Sequence, residues 1–283
     1  MSCILGAPLS EAGGVTVTGL DLSVPLAPTR LEQIREAFRV HHILVFPDQA
    51  LSREEQFAFI ASFGEIEPHG VRNGQTKRYT AAHVISNLDH DGNPVDRSIS
   101  PVSNYRWHTD KAYYPMPPML TALYAVEMPP RGGDTEFANT AMGYAALAEA
   151  TKRRIEGLRV VFYWGAGARN PEVRPHSPAE WGEHPPVDHP LVRTHPETGR
   201  KALYLGNHAS HILGMPEAEG RALLDELLEH TTQPQFVYTH RWRIGDLVIW
   251  DNRCLLHRAV ANYEMGRYRR VLHRSVVRGT VPV

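Results

Sequence analysis

The sequence has few cysteines, almost no net charge and no long apolar run, and each absence excludes a class of protein. Cys3 and Cys254 are the only cysteines in 283 residues, which excludes a disulfide framework and predicts a reducing, cytoplasmic setting. Lys and Arg total 30 against 31 Asp and Glu, a formal charge of −1, so we expect no nucleic acid or anionic membrane as partner. Apolar stretches such as 43–46 are too short to span a bilayer. The N-terminus lacks the basic start and apolar run of a signal peptide, so none is expected.

A phosphate-binding glycine loop is missing as well, since Gly132 and Gly133 follow a predicted strand without the required spacing. The sequence has instead many short apolar segments that are divided by Pro and Gly turns, and few helical ones. This pattern predicts a mainly β sandwich or jelly roll with flanking helices, built as one domain over 1–283. Strands are predicted near 43–46, 121–127, 159–163, 202–206, 236–240, 246–250, 254–260 and 269–277, and helices near 30–40, 52–64, 140–158 and 216–228.

Two long segments, 66–107 and 164–190, are rich in Pro, Gly, Asn and His and show no clear periodicity. Long irregular segments inside a compact domain are often lids or binding loops. We therefore predict that both segments are lid or substrate-loop segments.

One short motif among the 16 histidines has the pattern of a metal site. In the motif WHTD, His108 and Asp110 are two residues apart, so an extended backbone aims both side chains at one point. His257, in a distant predicted strand, is the candidate for a third ligand. Two imidazoles and one carboxylate on one face leave three coordination positions open, which is typical of iron(II) oxygenases. From these residues alone, a structural hydrogen bond between His108 and Asp110 is an equal alternative.

Other histidines have weaker contexts. His195 and Glu197 form another His-x-acid pair, in HPETGRK, which is typical of an exposed hairpin tip. His208 and His211, in HASH, have a spacing that a metal could use, but loop positions near a substrate opening are the favoured interpretation.

Three arginines lie close together near the C-terminal end of the sequence, on the predicted strand 269–277. Arg270 and Arg274 are four residues apart and share a face of that strand, whereas Arg269 points the other way. Two guanidinium groups at different depths suit two anions, because the planar fork pairs with carboxylates in a bidentate way. An ordinary charged edge strand is the alternative.

The motifs WHTD, GGDT, WDNRCLLH and RRVLHR, in this order, resemble the taurine dioxygenase and 2,4-dichlorophenoxyacetate dioxygenase family, over about Val15 to Val277. The stretch from PLVRTHPETGRK to WDNRCLLHRAV is similar to the phenoxyacetate branch, whereas WHTD resembles the taurine branch. The resemblance implies a double-stranded β-helix, iron(II), and 2-oxoglutarate and O2 as co-substrates, with release of succinate and CO2.

The resemblance also implies a role for each matching residue, with no catalytic side chain beyond the metal site. By position, the iron ligands are His108, Asp110 and His257; the 2-oxoglutarate contacts are Thr135 and Arg270; and the substrate contacts are Arg274, His69 and Asn104. For His69, a solvated loop position is an equal alternative.

The predicted function is hydroxylation of a small organic anion, with an aryloxyalkanoate-like carboxylate favoured. A taurine or alkylsulfonate dioxygenase of the same mechanism is the alternative. A zinc hydrolase with the same three ligands is disfavoured by Arg270 and Thr135, because hydrolysis needs no site for a co-substrate carboxylate. A non-catalytic jelly-roll metal-binding protein is the remote alternative. The family resemblance further suggests a homo-oligomer, either a dimer or a tetramer.

Overall fold

The computed structural model describes residues 4–67, 69–73, 76–80, 83–96, 103–164, 166 and 185–283. The strands are β1 (Ile4–Ser10), β2 (Gly13–Thr18), β3 (Ile43–Phe46), β4 (His69–Asn73), β5 (Thr76–Thr80), β6 (His83–Ser86), β7 (Leu120–Glu127), β8 (Thr135–Asn139), β9 (Arg159–Phe162), β10 (Val187–Pro190), β11 (Val192–Thr194), β12 (Lys201–Leu203), β13 (Ala209–Ile212), β14 (Val237–His240), β15 (Leu247–Asp251), β16 (Leu255–Ala259) and β17 (Val271–Val277). The helices are α1 (Pro28–His41), α2 (Arg53–Ala61), α3 (Thr140–Ala146), α4 (Glu149–Ile155) and α5 (Glu217–Thr231), with 3-10 turns at Ser103–Tyr105 and Pro234–Phe236.

Two sheets form the centre of the fold. The larger has the strand order β1-β2-β3-β15-β7-β17-β6, and the smaller has the order β14-β8-β16. A third sheet, β10-β9-β13, and the hairpins β4-β5 and β11-β12 lie outside this pair. The predicted jelly roll with flanking helices is confirmed.

The centre of the larger sheet is buried on both faces, which explains the unbroken apolar runs of β3 and of residues 247–250 in β15. Along β15, Leu247 and Ile249 belong to the cluster that packs under α1 and α2. Val248 and Trp250 alternate with them and belong to the cluster that also contains Phe137 of the smaller sheet. This second cluster fills the space between the two sheets, so side chains on facing strands are held in fixed positions.

The helix predicted over 140–158 is in fact two helices. Leu147 has an extended backbone with ψ of 144° and ends α3, and α4 starts at Glu149. This turn lets Leu147 pack in the same apolar cluster as Ile155. The predicted capping box at the start of α2 is confirmed, because the Ser52 side chain accepts from the Glu55 backbone N–H and the Glu55 side chain accepts from that of Ser52.

The segments predicted as loops contain more regular structure than expected. Segment 66–107 includes β4, β5 and β6, and segment 164–190 ends in β10, while residues 165 and 167–184 lie outside the described residues. A role of these segments as lids, and the single domain over 1–283, stay predictions. Within the described residues, no helix is long and apolar enough to cross a membrane.

Candidate metal centre and carboxylate site

The smaller sheet brings together the three side chains of the predicted metal site. His257 lies on β16, and His108 lies beside it: the His108 N–H donates to the His257 carbonyl at 3.0 Å, and the His257 N–H donates back at 2.8 Å. The two ring centroids are 4.2 Å apart. Asp110 Oδ2 is 3.9 Å from His257 Nε2. One ligand atom from each residue lies within 4.8 Å of the others, and all three residues are buried.

The protonation states of this group suit a divalent metal. His108 Nδ1 is 2.8 Å from the Arg106 carbonyl, so Nδ1 carries the proton and Nε2 keeps its lone pair. Burial lowers the pKa of His108 and, with His108 nearby, lowers the pKa of His257 to about 3. Burial alone would raise the pKa of Asp110, but Arg274 and the two imidazoles outweigh it and hold that pKa below its usual range. Two neutral imidazoles and an ionised carboxylate are the forms that ligate metals.

A chain of buried hydrogen bonds orients the Asp110 carboxylate. Thr121 Oγ1 donates to Asp110 Oδ2 at 2.6 Å, Asn252 Nδ2 donates to Thr121 Oγ1 at 2.9 Å, and Trp250 Nε1 donates to Asn252 Oδ1 at 3.1 Å. Neither Thr121 nor Asn252 was predicted from the sequence to be part of this site. A signal for Thr121 existed, because it is a polar residue in an otherwise apolar predicted strand, and it is fully buried.

A second polar group surrounds Arg270, which lines the same cavity as the three candidate metal ligands. The guanidinium of Arg270 donates through Nε to the Gly133 carbonyl at 2.8 Å and through Nη2 to Thr135 Oγ1 at 3.4 Å. Trp242 Nε1 donates to the same Thr135 oxygen at 2.9 Å. Burial lowers the pKa of Arg270, and its side-chain hydrogen bonds here go to neutral oxygens. A buried cation held in this way favours an anionic ligand.

The two glycines of GGDT allow Asn262 and Arg270 to approach this loop closely. Both have a left-handed backbone, with φ of +74° at Gly132 and +71° at Gly133. A Cβ at Gly132 would lie 2.2 Å from the Asn262 carbonyl oxygen, and one at Gly133 would lie 3.2 Å from Arg270 Cδ. Glycine at position 132 therefore leaves room for the Asn262 backbone, and glycine at position 133 leaves room for the Arg270 side chain.

Arg274 lies nearer the metal centre than Arg270. Its Nη1 is 3.5 Å from Asp110 Oδ1, and its Nε is buried without a hydrogen-bond partner among the described residues. Arg269 is exposed and donates to Glu127 Oε2 at 2.7 Å. The strand itself begins at Val271, so the prediction that Arg269 and Arg270 belong to it is wrong. A shift in register between Val271 and Leu272 accompanies this start.

The cavity between the sheets has a volume of about 50 Å³ at the metal centre and adjoins a larger one of about 330 Å³. Asn104 lines both, as do Ile85, Ala259 and Arg270. His69 lies in β4, but its side chain lies outside the described residues. The metal-centre cavity is lined by Ile85, Asn104, His108, Asp110, Leu123, Thr135, Trp250, His257, Ala259, Arg270 and Arg274.

A second buried group has the composition of a metal site: His42, His195, Asp251 and Cys254. His195 Nδ1 accepts from the backbone N–H groups of residues 197 and 198 at 3.3 and 3.2 Å. Its Nε2 therefore carries the proton, which it donates to Asp251 Oδ2 at 2.9 Å. Arg253 donates to both oxygens of the same carboxylate, at 2.8 and 2.7 Å. The ring nitrogens of His195 and the carboxylate of Asp251 are therefore already engaged, whereas both ring nitrogens of His42 lack a hydrogen-bond partner among the described residues.

This group also corrects the prediction for HPETGRK. The segment does follow the hairpin strand β11, but His195 is only 1% exposed, so an exposed hairpin tip is wrong for this residue. The hydrogen bond to Asp251, 56 positions further along the chain, holds it inside.

Comparisons with known proteins identify the family of this chain. The family model for taurine catabolism dioxygenase TauD, TfdA family, matches residues 6–276. The chain is 40% identical to the alpha-ketoglutarate-dependent 2,4-dichlorophenoxyacetate dioxygenase of Cupriavidus pinatubonensis, over 96% of each protein. It is 34% identical to the (S)-phenoxypropionate/alpha-ketoglutarate dioxygenase of Sphingobium herbicidovorans, over 95% of this chain and 93% of the relative.

A solved structure extends the similarity to three dimensions. The crystal structure of AAD-2 in complex with Mn(II) and N-oxalylglycine superposes with a TM-score of 0.86 at 35% identity, covering 100% of this chain and 99% of that one. The sequence, the architecture and the site geometry are all those expected of one family. The chain belongs to the TauD/TfdA family of alpha-ketoglutarate-dependent dioxygenases.

Proposed function

We propose that this protein is an iron(II)- and 2-oxoglutarate-dependent dioxygenase that hydroxylates a small organic anion, with an aryloxyalkanoate-like carboxylate favoured. One observation supports this most strongly: a buried two-histidine, one-carboxylate group and two guanidinium groups line the same cavity. That combination provides one metal face and two separate anion sites.

His108, Asp110 and His257 would hold iron(II). Bound there, iron(II) would couple the oxidative decarboxylation of 2-oxoglutarate by O2 to C–H hydroxylation of the substrate, giving succinate, CO2 and the alcohol. The chain supplies the geometry for this chemistry, since the hydrogen bond from Thr121 to Asp110 and the carbonyl of Arg106 at His108 fix two of the ligands. No side chain needs to act as a general base.

Arg270 and Thr135 would bind the far carboxylate of 2-oxoglutarate. Both are buried, which strengthens a charge-assisted hydrogen bond and makes the bidentate guanidinium selective for a carboxylate. This site would hold the co-substrate at a fixed distance from the metal ligands and exclude water from the region between them.

Arg274 would anchor the anionic group of the primary substrate. Its buried Nε has no partner among the described residues, and a substrate carboxylate would provide one. The other walls include Ile85, Leu123 and Ala259, which suit an aromatic or alkyl body. Asn104 lines this cavity and, with His69, stays a predicted substrate contact.

The same walls favour the carboxylate over taurine. Asp110 is the only acidic residue among those that line the metal-centre cavity, and it would be engaged by the metal. The ammonium group of taurine would therefore lack an anionic partner there, within the part of the chain that the structure describes. An alkylsulfonate without an ammonium group is the second candidate, since a relative that is 30% identical over 95% of this chain is named a putative alpha-ketoglutarate-dependent sulfonate dioxygenase.

An anaerobic titration tests the reaction class. Iron(II) followed by 2-oxoglutarate should give the visible charge-transfer band of a chelated 2-oxo acid, and air with substrate should then give succinate. A zinc hydrolase or a non-catalytic metal-binding protein would give no band with correctly folded protein. Small carboxylates and sulfonates, compared for substrate-coupled succinate formation, would identify the substrate class.

Arg274→Ala tests the division between the two arginines. Loss of a charge-assisted hydrogen bond should raise the KM for the primary substrate roughly 10- to 100-fold, while the Kd for 2-oxoglutarate changes by less than about threefold. Arg269→Ala, which removes an exposed guanidinium on the neighbouring segment, is the matched control and should leave both constants unchanged. Equal losses for substrate and 2-oxoglutarate in Arg274→Ala would contradict the assignment.

A further inference from the structure

We propose that Trp242 is a positioning residue for 2-oxoglutarate, because its indole N–H directs the hydroxyl proton of Thr135 toward the co-substrate carboxylate. This inference rests on the proposed function, in which Thr135 contacts that carboxylate. The indole Nε1 lies 2.9 Å from Thr135 Oγ1, and both side chains are buried.

The direction of the Thr135 proton follows from the types of its neighbours. A hydroxyl group has one proton to donate and two lone pairs that accept. Trp242 Nε1 and Arg270 Nη2 both lie within hydrogen-bond distance of Oγ1, at 2.9 and 3.4 Å, and both groups can only donate. The oxygen therefore accepts from both, and its own proton points away from them. A ligand that reaches Thr135 and Arg270 together meets an oriented set of donors, which selects an anion.

The indole is itself held in place by a rigid polar group. β14 pairs with β8 so that His240 lies opposite Thr135, and Trp242 follows two residues later. The His240 ring packs edge-on against the Trp242 ring, with centroids 4.6 Å apart at 87°. Both nitrogens of His240 are engaged, Nδ1 with the Tyr238 hydroxyl at 3.0 Å and Nε2 with Asp246 Oδ2 at 3.1 Å.

This support preorganises the co-substrate site. A freely rotating hydroxyl would have to be ordered each time 2-oxoglutarate binds, whereas the Thr135 hydroxyl is oriented before the ligand arrives. Trp242 itself does not need to touch the ligand, since its effect passes through Thr135. We therefore expect it to affect affinity for an acid with a far carboxylate, and not the metal ligands.

Trp242→Phe tests this, because it keeps an aromatic ring against His240 and removes the N–H donor. Iron(II)-loaded protein is titrated anaerobically with 2-oxoglutarate, and the charge-transfer band is followed. The apparent Kd should rise roughly 5- to 20-fold, while the Kd for iron(II) stays unchanged. Titration with 2-oxobutyrate, which chelates in the same way but lacks the far carboxylate, should give the same Kd for Trp242→Phe as for the wild type.

A double-mutant cycle with Thr135→Val separates positioning from packing. If Trp242 acts through the hydroxyl, then Trp242→Phe should cause no further loss once Thr135 is Val. Losses that add, or an equal loss for 2-oxobutyrate, would overturn the proposal, as would an unchanged Kd for 2-oxoglutarate. Trp242→Tyr is the second variant if the Phe protein does not fold, since its ring fills more of the indole volume but places no donor at Nε1. Failure of the proposed function would look different, because the wild type itself would then show no band.

Discussion

Among the described residues, two buried groups bring three or more His, Cys, Asp or Glu side chains close together, and their carboxylates are paired in different ways. At the metal centre, the carboxylate of Asp110 is oriented by a hydroxyl group, and the imidazoles of His108 and His257 face it with lone pairs available. In the second group, Arg253 donates to both oxygens of the Asp251 carboxylate, and His195 Nε2 donates its proton to Oδ2 of the same carboxylate.

The difference shows that residue type and proximity are not sufficient for a metal site. The two carboxylates differ in how closely a guanidinium pairs with them: Arg274 reaches one oxygen of Asp110 at 3.5 Å, whereas Arg253 donates to both oxygens of Asp251 at 2.8 and 2.7 Å. The Asp110 carboxylate can therefore still bind a metal cation, whereas the Asp251 carboxylate is already paired with the Arg253 guanidinium. We therefore expect the first group to bind the metal and the second to stabilise the fold, and three measurements test this contrast.

The largest effect is expected for His257→Ala. Removing one of three ligands should lower iron(II) affinity and succinate formation by roughly 100-fold or more, beyond the 10- to 100-fold that is typical of losing an outer partner of a ligand. Metal content and coupled succinate release measure it. His90→Ala is the control: it removes a histidine whose side chain is 89% exposed, and it should leave iron(II) affinity and succinate formation unchanged. Wild-type iron affinity in His257→Ala would refute the ligand assignment.

Arg253→Met should act on stability and not on the metal. It leaves the fully buried Asp251 carboxylate without its guanidinium, and breaking a buried pair in this way costs about 3–5 kcal/mol of unfolding free energy. Denaturant unfolding of the metal-free protein measures this cost. Arg221→Met, which breaks the exposed pair with Glu217, should cost less than about 1 kcal/mol. A similarly small cost for Arg253→Met would mean that the second group contributes little.

His42→Asn should change how stability depends on pH. Burial lowers the pKa of His42 from 6.5 to about 4, so between these values the unfolded chain binds a proton that the folded chain does not. The contribution of His42 to the free energy of unfolding is therefore complete above pH 6.5. It falls by about 2–3 kcal/mol as the pH is lowered toward 4. Asn suits the left-handed backbone of this position, with φ of 62°.

The measurement for His42→Asn is the unfolding free energy at pH 7 and at pH 4.5, for the variant and the wild type. The loss on acidification should be smaller in the variant by that amount. An equal loss in both proteins would show that His42 does not titrate as described.

The sequence predicted that His108 and Asp110 face one point, because they alternate on an extended backbone and this rule is local; the metal assignment itself depended on the family resemblance. It also predicted the sheet-rich fold, since short apolar segments between turns leave few alternatives. It could not predict that Thr121 orients Asp110 or that Trp242 reaches Thr135. Those contacts join positions 11 and 107 residues apart, and sheet pairing that brings such residues together depends on the whole fold.

The same limit explains the error at His195. Its local context, with Pro, Gly and charged residues, is typical of a turn, and the turn is present. Only the Asp251 carboxylate, on a different sheet, makes burial of this imidazole favourable. The residues around His195 do not indicate that partner, so the sequence cannot distinguish an exposed charged hairpin from a buried, hydrogen-bonded histidine.

The backbone pairing between His108 and His257 has a mechanical consequence. It consists of a single bridge that joins the first half of the chain to the last strands of the smaller sheet, and a bound ion would close the same junction through side chains. Iron would therefore act as a cross-link, adding about 2.7 kcal/mol to folding when its free concentration is roughly 100 times the Kd. In cells short of iron, the protein would then be both inactive and easier to unfold.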